Sequence, residues 1–199
     1  MQATQEPTMP LVRSAWPEGG LMRDALVVLA GSALLAACAW IRMPMWPVPM
    51  TMQTFAVLLI GATCGPRLGA AAVAAYLAEA ALGLPVLAGG KPLVLGGPTF
   101  GYLVGFLMAA VAVGWAARRG WTRRGWPTLL GALLVGQALV YLPGLAWLHA
   151  AWLQDLRATL AAGLFPFLLG DGLKLLLAAA SLRLLHHRAA NASRFHPHG

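Results

Sequence analysis

The sequence predicts an all-α integral membrane protein of six transmembrane helices, with the N- and C-termini cytoplasmic. Three observations predict it. Of 199 residues, 59% are hydrophobic and only 10% are charged, against roughly 25% charged in a soluble domain, and mean hydropathy is +0.71. The apolar residues fall in six runs, punctuated by Trp, Arg, Pro and Gly. The cations are distributed unevenly between the segments that join those runs, which is how membrane proteins set their orientation.

Residues 1–21 are polar and punctuated by Pro and Gly, and read as a loose cytoplasmic arm. Residues 22–187 form the membrane domain, and 188–199 a short polar cytoplasmic tail. Span 1 runs from about Asp24 to Ile41. It ends in Leu35-Ala36-Ala37-Cys38, which resembles a lipoprotein cleavage site, but the run begins too far into the chain for a signal peptide and is read as a retained span. Span 2 is about Thr51 to Cys64 and span 3 about Leu68 to Leu82. Both are shorter than the roughly 20 residues of a perpendicular crossing. They are read as two short crossings; the alternative is a re-entrant hairpin with its tip at Gly65-Pro66-Arg67, which protein or water must cover. Span 4 is about Thr99 to Ala117, span 5 about Thr128 to Trp152 and span 6 about Ala158 to Leu185. The two long irregular segments, Arg42 to Met50 and Gly83 to Pro98, are rich in Pro or Gly and do not continue a helix readily.

With the N-terminus inside, the inner segments hold ten arginines (Arg13, Arg23, Arg67, Arg118, Arg119, Arg123, Arg124, Arg183, Arg188 and Arg194) and the outer ones hold three cations (Arg42, Lys91 and Arg157). That asymmetry places both termini in the cytoplasm. Seven tryptophans, Trp40, Trp46, Trp115, Trp121, Trp126, Trp147 and Trp152, fall near span ends and are read as interfacial anchors. The net charge of +8 does not signal nucleic-acid binding, because the cations punctuate apolar runs instead of sharing a soluble face. Cys38 and Cys64 lie in apolar segments and read as small buried hydrophobes. No span carries metal-ligand spacing and there is no phosphate-binding Gly-x-x-x-x-Gly-Lys-Ser/Thr loop, so any ATP must be bound by another chain.

Asp171 and Lys174 carry the strongest functional signal. Both lie inside span 6, where insertion scales place the cost of each charge at about 2.5–3.5 kcal/mol. Their spacing of three puts them on one helix face. Two readings follow: an ion pair that neutralises itself, or a site for a ligand with an N–H group at one end and an anion at the other. In Pro47-Val48-Pro49-Met50-Thr51-Met52-Gln53-Thr54, a kinked loop feeds span 2. Thr51 is placed to cap that helix, and Gln53 offers an amide to another helix or to a ligand.

The segment from Gly83-Leu84-Pro85-Val86 to Gly96-Gly97-Pro98-Thr99-Phe100-Gly101-Tyr102 is too apolar for a solvated linker and reads as a lid. Thr99 is placed to cap span 4, Tyr102 lies one turn in, and Gly101 and Gly105 suit close helix packing. Lys91, in the lid, faces either solvent or an anion. Tyr76 and Glu79, near the outer end of span 3, are further candidates for the outer cavity, although Glu79 equally suits the interface. Ala33 and Ala37, beside Ser32 and Ala36, form a small-residue stripe that serves either packing within the bundle or docking to another membrane subunit.

Together these segments resemble the BioY family, the biotin-specific substrate-binding subunits of energy-coupling factor (ECF) transporters. The resemblance rests on Pro47 to Thr54 with Val57-Leu58-Leu59 and Gly61; on Tyr76-Leu77 with Gly83-Leu84-Pro85-Val86; on Gly97-Pro98-Thr99 with Gly101-Tyr102-Leu103 and Gly105-Phe106; and on Phe167 with Gly170-Asp171 and Lys174, in family order. It implies a six-helix bundle in the bacterial cytoplasmic membrane that captures biotin near the outer surface, with no cofactor and no catalysis of its own. It implies partners as well: a transmembrane coupling subunit, met through the Ala-x-x-x-Ala motif matched by Ala33 and Ala37, and two ATPases. On this basis Lys174 is expected to meet the biotin carboxylate and Asp171 a ureido N–H. Gln53 or Thr51 would satisfy the rest of the ureido group, and Tyr102 and Tyr76 would cover the apolar ring. The family often has Phe after Pro-Val, where this chain has Leu87; Lys91-Pro92 interrupts a lid usually built of small residues, and Glu79 replaces a small or apolar residue. The alternatives are a subunit for another vitamin, in a different class a membrane-embedded hydrolase using Asp171, and a purely structural assembly subunit that binds no ligand.

Overall fold

A computed structural model describes residues 10–12, 16, 20–91 and 93–195 of the chain. Most of the arm expected over 1–21, Pro92, and the end of the tail with His196 and His198 lie outside the described residues. The first long helix, α1, is Gly20–Trp40. A two-residue strand β1 (Arg42–Met43) pairs antiparallel with β2 (Met50–Thr51), with Arg42 opposite Thr51 and Met43 opposite Met50. Then come α2 (Gln53–Ala81), α3 (Phe100–Arg118), the short α4 (Trp121–Arg124) and α5 (Trp126–Leu148), which continues as a π-turn over His149–Leu153. A short α6 (Leu156–Gly163), a 3-10 turn (Phe165–Phe167) and the long α7 (Leu168–Phe195) complete the bundle.

Assigned as one element, α2 is two helices. Gly65 has φ 80° and ψ 177°, outside the helical region and where only glycine sits comfortably, and Pro66 then restarts the helix. A side chain built on Gly69 would lie 3.2 Å from the Gly61 Cα, whereas eight residues of straight helix separate two atoms by about 12 Å. The chain therefore folds back at Gly65-Pro66, where the sequence places a boundary between two short antiparallel segments. Close approach is possible because the meeting surfaces are small. Gly31 of α1 faces Ala72, Gly61 faces the Ala110 backbone, and Gly114 faces Gly65 and Pro66. The two halves are thus sandwiched between α1 and α3, which gives these short segments the protein cover that their backbone needs in a membrane.

Among the described residues, five helices are long and apolar enough to cross a membrane, counting the folded α2 as one and α6 with α7 as one. One buried cluster joins Leu35, Val57, Tyr76, Phe106, Ala110 and Val140 across α1, α2, α3 and α5. A second joins Leu58, Leu129, Leu133, Leu175 and Leu182 across α2, α5 and α7. The outside remains apolar: Leu26 and Leu29 on α1, Leu134 and Val135 on α5, and Leu173 and Leu176 on α7 are exposed, as suits a lipid-facing surface.

Two expectations change here. Span 6 is not one continuous helix. Leu164 leaves the helical region at φ −127° and ψ −63°, and Pro166, which has no N–H to donate, sits in the 3-10 turn that follows. Thr51 stands one residue before the cap position, yet its hydroxyl accepts from the Gln53 N–H at 3.3 Å at the start of α2, whereas Thr99 precedes α3 without a side-chain cap bond. Asp155 caps α6: its side chain accepts from the Ala158 N–H at 2.6 Å.

Candidate functional site

The break at 164–167 decides the electrostatics of the site. It makes Leu168 the start of a new helix and places Asp171 in its first turn. There the carboxylate meets the positive end of the helix dipole, worth about 0.3–1 kcal/mol and more when partly buried. Gly170 allows this helix start to pack closely, since a side chain there would lie 2.7 Å from the Met50 sulfur. Asp171 and Lys174 are 6% and 7% exposed, so both charges are essentially out of water and need partners.

They have them. Lys174 Nζ donates to Asp171 Oδ1 at 2.7 Å, and the Thr54 hydroxyl donates to the same oxygen at 3.3 Å. Gln137 Nε2 donates to Oδ2 at 2.7 Å, and the Tyr141 hydroxyl donates to it as well. Donors from α2, α5 and α7 thus converge on one carboxylate. Lys174 has three N–H groups, and Asp171 accepts from one of them, which leaves donor capacity at the surface of an adjoining cavity.

That cavity measures about 510 Å³. Asp171, Lys174, Gln53, Thr51 and Thr54 form polar parts of its wall, and Tyr102, Phe106, Tyr141, Trp152 and Phe167 contribute aromatic surface. The residues 44–49 between the strands line one side, and Leu87, Lys91, Leu93 and Val94 of the 83–98 loop line another. Arg42, at the base of the strand pair, lines it too. The Arg42 guanidinium rests against Gly89, whose φ is +75° and where a side chain would lie 2.6 Å from the guanidinium carbon. Arg42 is therefore seated under the loop by a residue with no side chain to displace it.

Hydrogen bonds tie the loop to the bundle. The Trp147 indole donates to the Gly97 carbonyl and the Trp152 indole to the Gly96 carbonyl, each at 2.9 Å. These two tryptophans latch the loop, a role beyond the interfacial anchoring expected of them. On the opposite side the Tyr76 hydroxyl donates to the Val86 carbonyl at 3.2 Å and accepts from Gln53 Nε2 at 2.6 Å. The Thr51 hydroxyl donates to Gln53 Oε1 at 3.1 Å. Gln53 is thus held by both neighbours while its amide lines the cavity. Tyr102 donates to the Gly163 carbonyl at 2.9 Å and packs its ring against Gly144 and edge-on to Tyr141.

Six of the eight site residues expected from the sequence line this cavity: Asp171, Lys174, Gln53, Thr51, Tyr102 and Lys91. Tyr76 and Glu79 do not. Tyr76 is fully buried behind Gln53. Glu79 accepts from the Ser32 hydroxyl at 2.6 Å and so joins α2 to α1. Ala33 and Ala37 are exposed on α1, while Gly31 and Ser32 make its contacts to the bundle. Four residues escaped the sequence reading: Thr54, Gln137, Tyr141 and Arg42. Gln137 and Tyr141 had a readable signal, a polar pair at a spacing of four in an apolar span, the same kind of signal that exposed Asp171 and Lys174. Among the described residues no cluster of His, Cys, Asp and Glu is arranged to hold a metal ion.

Comparison with known proteins agrees with this architecture. The sequence model of the BioY family matches residues 6–191. A protein of Thermotoga maritima described as "Biotin transporter BioY" is 36% identical over 166 residues, covering 82% of this chain and 96% of the relative. One of Rhizobium etli with the same description is 32% identical over 170 residues, covering 79% and 89%. Among solved structures, the S-component for biotin from an ECF-type ABC transporter, at 2.1 Å, superposes with a TM-score of 0.76 at 26% identity, covering 85% of this chain and 94% of that one.

Proposed function

The chain belongs to the BioY family, and we propose that it takes up biotin across the bacterial cytoplasmic membrane as the substrate-binding subunit of an ECF transporter, with the cavity under the 83–98 loop as its binding site. It is a multi-pass membrane transporter subunit and not an enzyme, as its relatives are. The observation that carries the site is the placement of Asp171 and Lys174. They are paired, and they are also part of a cavity wall, so neutralising one another and meeting a ligand are not alternatives here.

The geometry favours one orientation of the vitamin. Biotin has a rigid ureido ring that donates twice and accepts once, an apolar thioether ring, and a flexible chain ending in a carboxylate. Asp171 already accepts from four donors, so the pair presents the remaining N–H groups of Lys174, which match the ureido carbonyl. Because Lys174 already neutralises Asp171, it is a weak partner for a second full negative charge. Arg42 and Lys91, at the strand pair and the loop, are not held by any carboxylate among the described residues and suit the biotin carboxylate. This reverses the role expected of Lys174 from the sequence. Gln53 and Thr51 complete the polar side, and Tyr102 with Phe106 and Trp152 covers the apolar ring. Tyr76 supports Gln53 from behind, and Glu79 acts in holding α1.

Both termini are assigned to the cytoplasm from the charge asymmetry, with residues 22–187 as the membrane domain, and Ala33 with Ala37 is assigned to the transmembrane coupling subunit, which in turn holds two ATPases. Support for the docking surface is that both alanines face away from the bundle. The test is isothermal titration of the purified protein with biotin, thiamine and riboflavin, together with mass spectrometry of the ligand that co-purifies. Biotin alone should bind and co-purify; preference for either other vitamin would reject the assignment. A hydrolase reading lacks a second acid in the cavity among the described residues, because Glu79 lies elsewhere.

A further inference from the structure

The Tyr76 hydroxyl stands outside the cavity and yet joins two of its walls. Its side chain is fully buried and does not line the cavity. It donates to the Val86 carbonyl at 3.2 Å and accepts from Gln53 Nε2 at 2.6 Å. Just past Val86, the loop becomes cavity wall through Leu87, Ala88 and Lys91. Beyond the turn that ends α2, no other hydrogen bond among the described residues joins residues 85–91 to another element. The 93–98 half is held separately, by the Trp147 and Trp152 indoles at Gly97 and Gly96.

A phenol has one proton to donate. Tyr76 gives it to Val86, so only the phenol oxygen faces Gln53, and Gln53 must turn its N–H group that way. This sends Gln53 Oε1 toward Thr51, whose hydroxyl donates to it at 3.1 Å. Both Gln53 and Thr51 line the cavity. Reversing the Gln53 amide puts Oε1 against Tyr76, where it competes with Val86 for the single proton. The orientation of the amide and the attachment of the loop are therefore one choice. We propose that Tyr76 is a positioning residue that ties the 83–91 half of the loop to the N–H groups of the ligand, a role that rests on the biotin reading of the cavity. A ureido N–H donates to Gln53 Oε1 and holds it away from Tyr76. The Tyr76 proton then stays with Val86, and Leu87, Ala88 and Lys91 stay in the cavity wall. A ligand without an N–H at that edge favours neither amide orientation, so it leaves the loop as it is in the empty protein.

The experiment is hydrogen–deuterium exchange of the full chain in neutral detergent, with and without saturating biotin. The Val86 and Gly90 amides bond within the loop, to the Leu84 and Leu87 carbonyls, and report its opening. In wild type, biotin should slow their exchange about fivefold, the factor that one net hydrogen bond gives. Tyr76→Phe keeps the ring and removes the proton. It should abolish that slowing and leave the Gly97 amide, which bonds to Val94 beside the tryptophan latch, as in wild type. Gln53→Ala should do the opposite and keep Val86 and Gly90 slow with or without biotin, because the Tyr76 proton then has no competitor. A hydroxyl that serves stability alone would give the Gln53 variant no such gain. Equal exchange in wild type with and without biotin overturns the inference, whatever the variants do. So does a slowing that persists in Tyr76→Phe. Biotin titration on the same samples separates the tie from the site. Wild type that binds biotin and fails the exchange test rejects the tie alone; wild type that binds no biotin rejects the biotin reading and the tie with it.

Discussion

At the scale of the residue, Asp171 is the centre around which the site is built. Four side chains donate to its two oxygens, so its neighbours are linked to one another through it. Removing Lys174 alone leaves a buried carboxylate short of its counter-charge, a class of change that costs about 3–5 kcal/mol. Lys174→Ala should therefore lower both the thermal stability and the biotin affinity, the latter by tenfold or more on the order of that cost. Adding Asp171→Asn should restore much of the stability and none of the affinity, as read by thermal unfolding and calorimetric titration on the same samples. Recovery of binding in the double variant would show that the pair is structural only. Arg42→Ala should weaken biotin but not biotin methyl ester, because that side chain is assigned to the free carboxylate; equal losses for both would remove it from that role.

Elements contribute by where they stop. The 164–167 break converts a mid-span aspartate into one at a helix N-terminus, and the reversal at Gly65-Pro66 converts one long helix into two packed ones. Gly101 and Gly105 fit α3 against α5 so closely that added side chains would lie 2.3 Å from the Pro143 carbonyl oxygen and 2.7 Å from the Val140 Cα. Gly105→Leu should accordingly reduce the unfolding temperature sharply, the contact being with backbone that cannot rotate aside; an unchanged melting curve would contradict the packing. The 83–98 loop is held by two indole donors, each worth about 1 kcal/mol. Trp147→Phe with Trp152→Phe should speed biotin release by roughly tenfold or more if both bonds persist until the loop opens. Stopped-flow exchange of labelled biotin measures this, and an unaltered rate would mean the loop does not restrain release.

For the whole molecule, the apolar exterior and the interior cavity divide the functions. Ala33 and Ala37 are exposed and remote from the cavity lining. Ala33→Leu with Ala37→Leu should leave biotin binding intact and abolish co-purification with the coupling subunit; loss of binding instead would place α1 in the site. The six-span arrangement was readable from hydropathy because lipid imposes a single demand, apolar side chains on self-satisfied helices. The hairpin boundary was readable too, since Gly-Pro breaks a helix locally. The break in span 6 was less readable, because Phe-Pro-Phe keeps the hydropathy high through the turn. Tyr76 was placed in the cavity because spacing gives a helix face but not which neighbour that face meets.

The sequence by itself determined the membrane class, the apolar spans, the charge asymmetry and the two ionised residues that no lipid-facing helix would keep. Those are local properties, set by transfer free energies and by helical spacing. Only the tertiary structure decided that Gln137 and Tyr141 reach Asp171 across 30 or more residues of chain, that Arg42 sits beneath the loop, and that Glu79 turns to Ser32 and leaves the cavity. Those pairings depend on how helices pack, and packing is resolved by contacts between segments far apart in the chain.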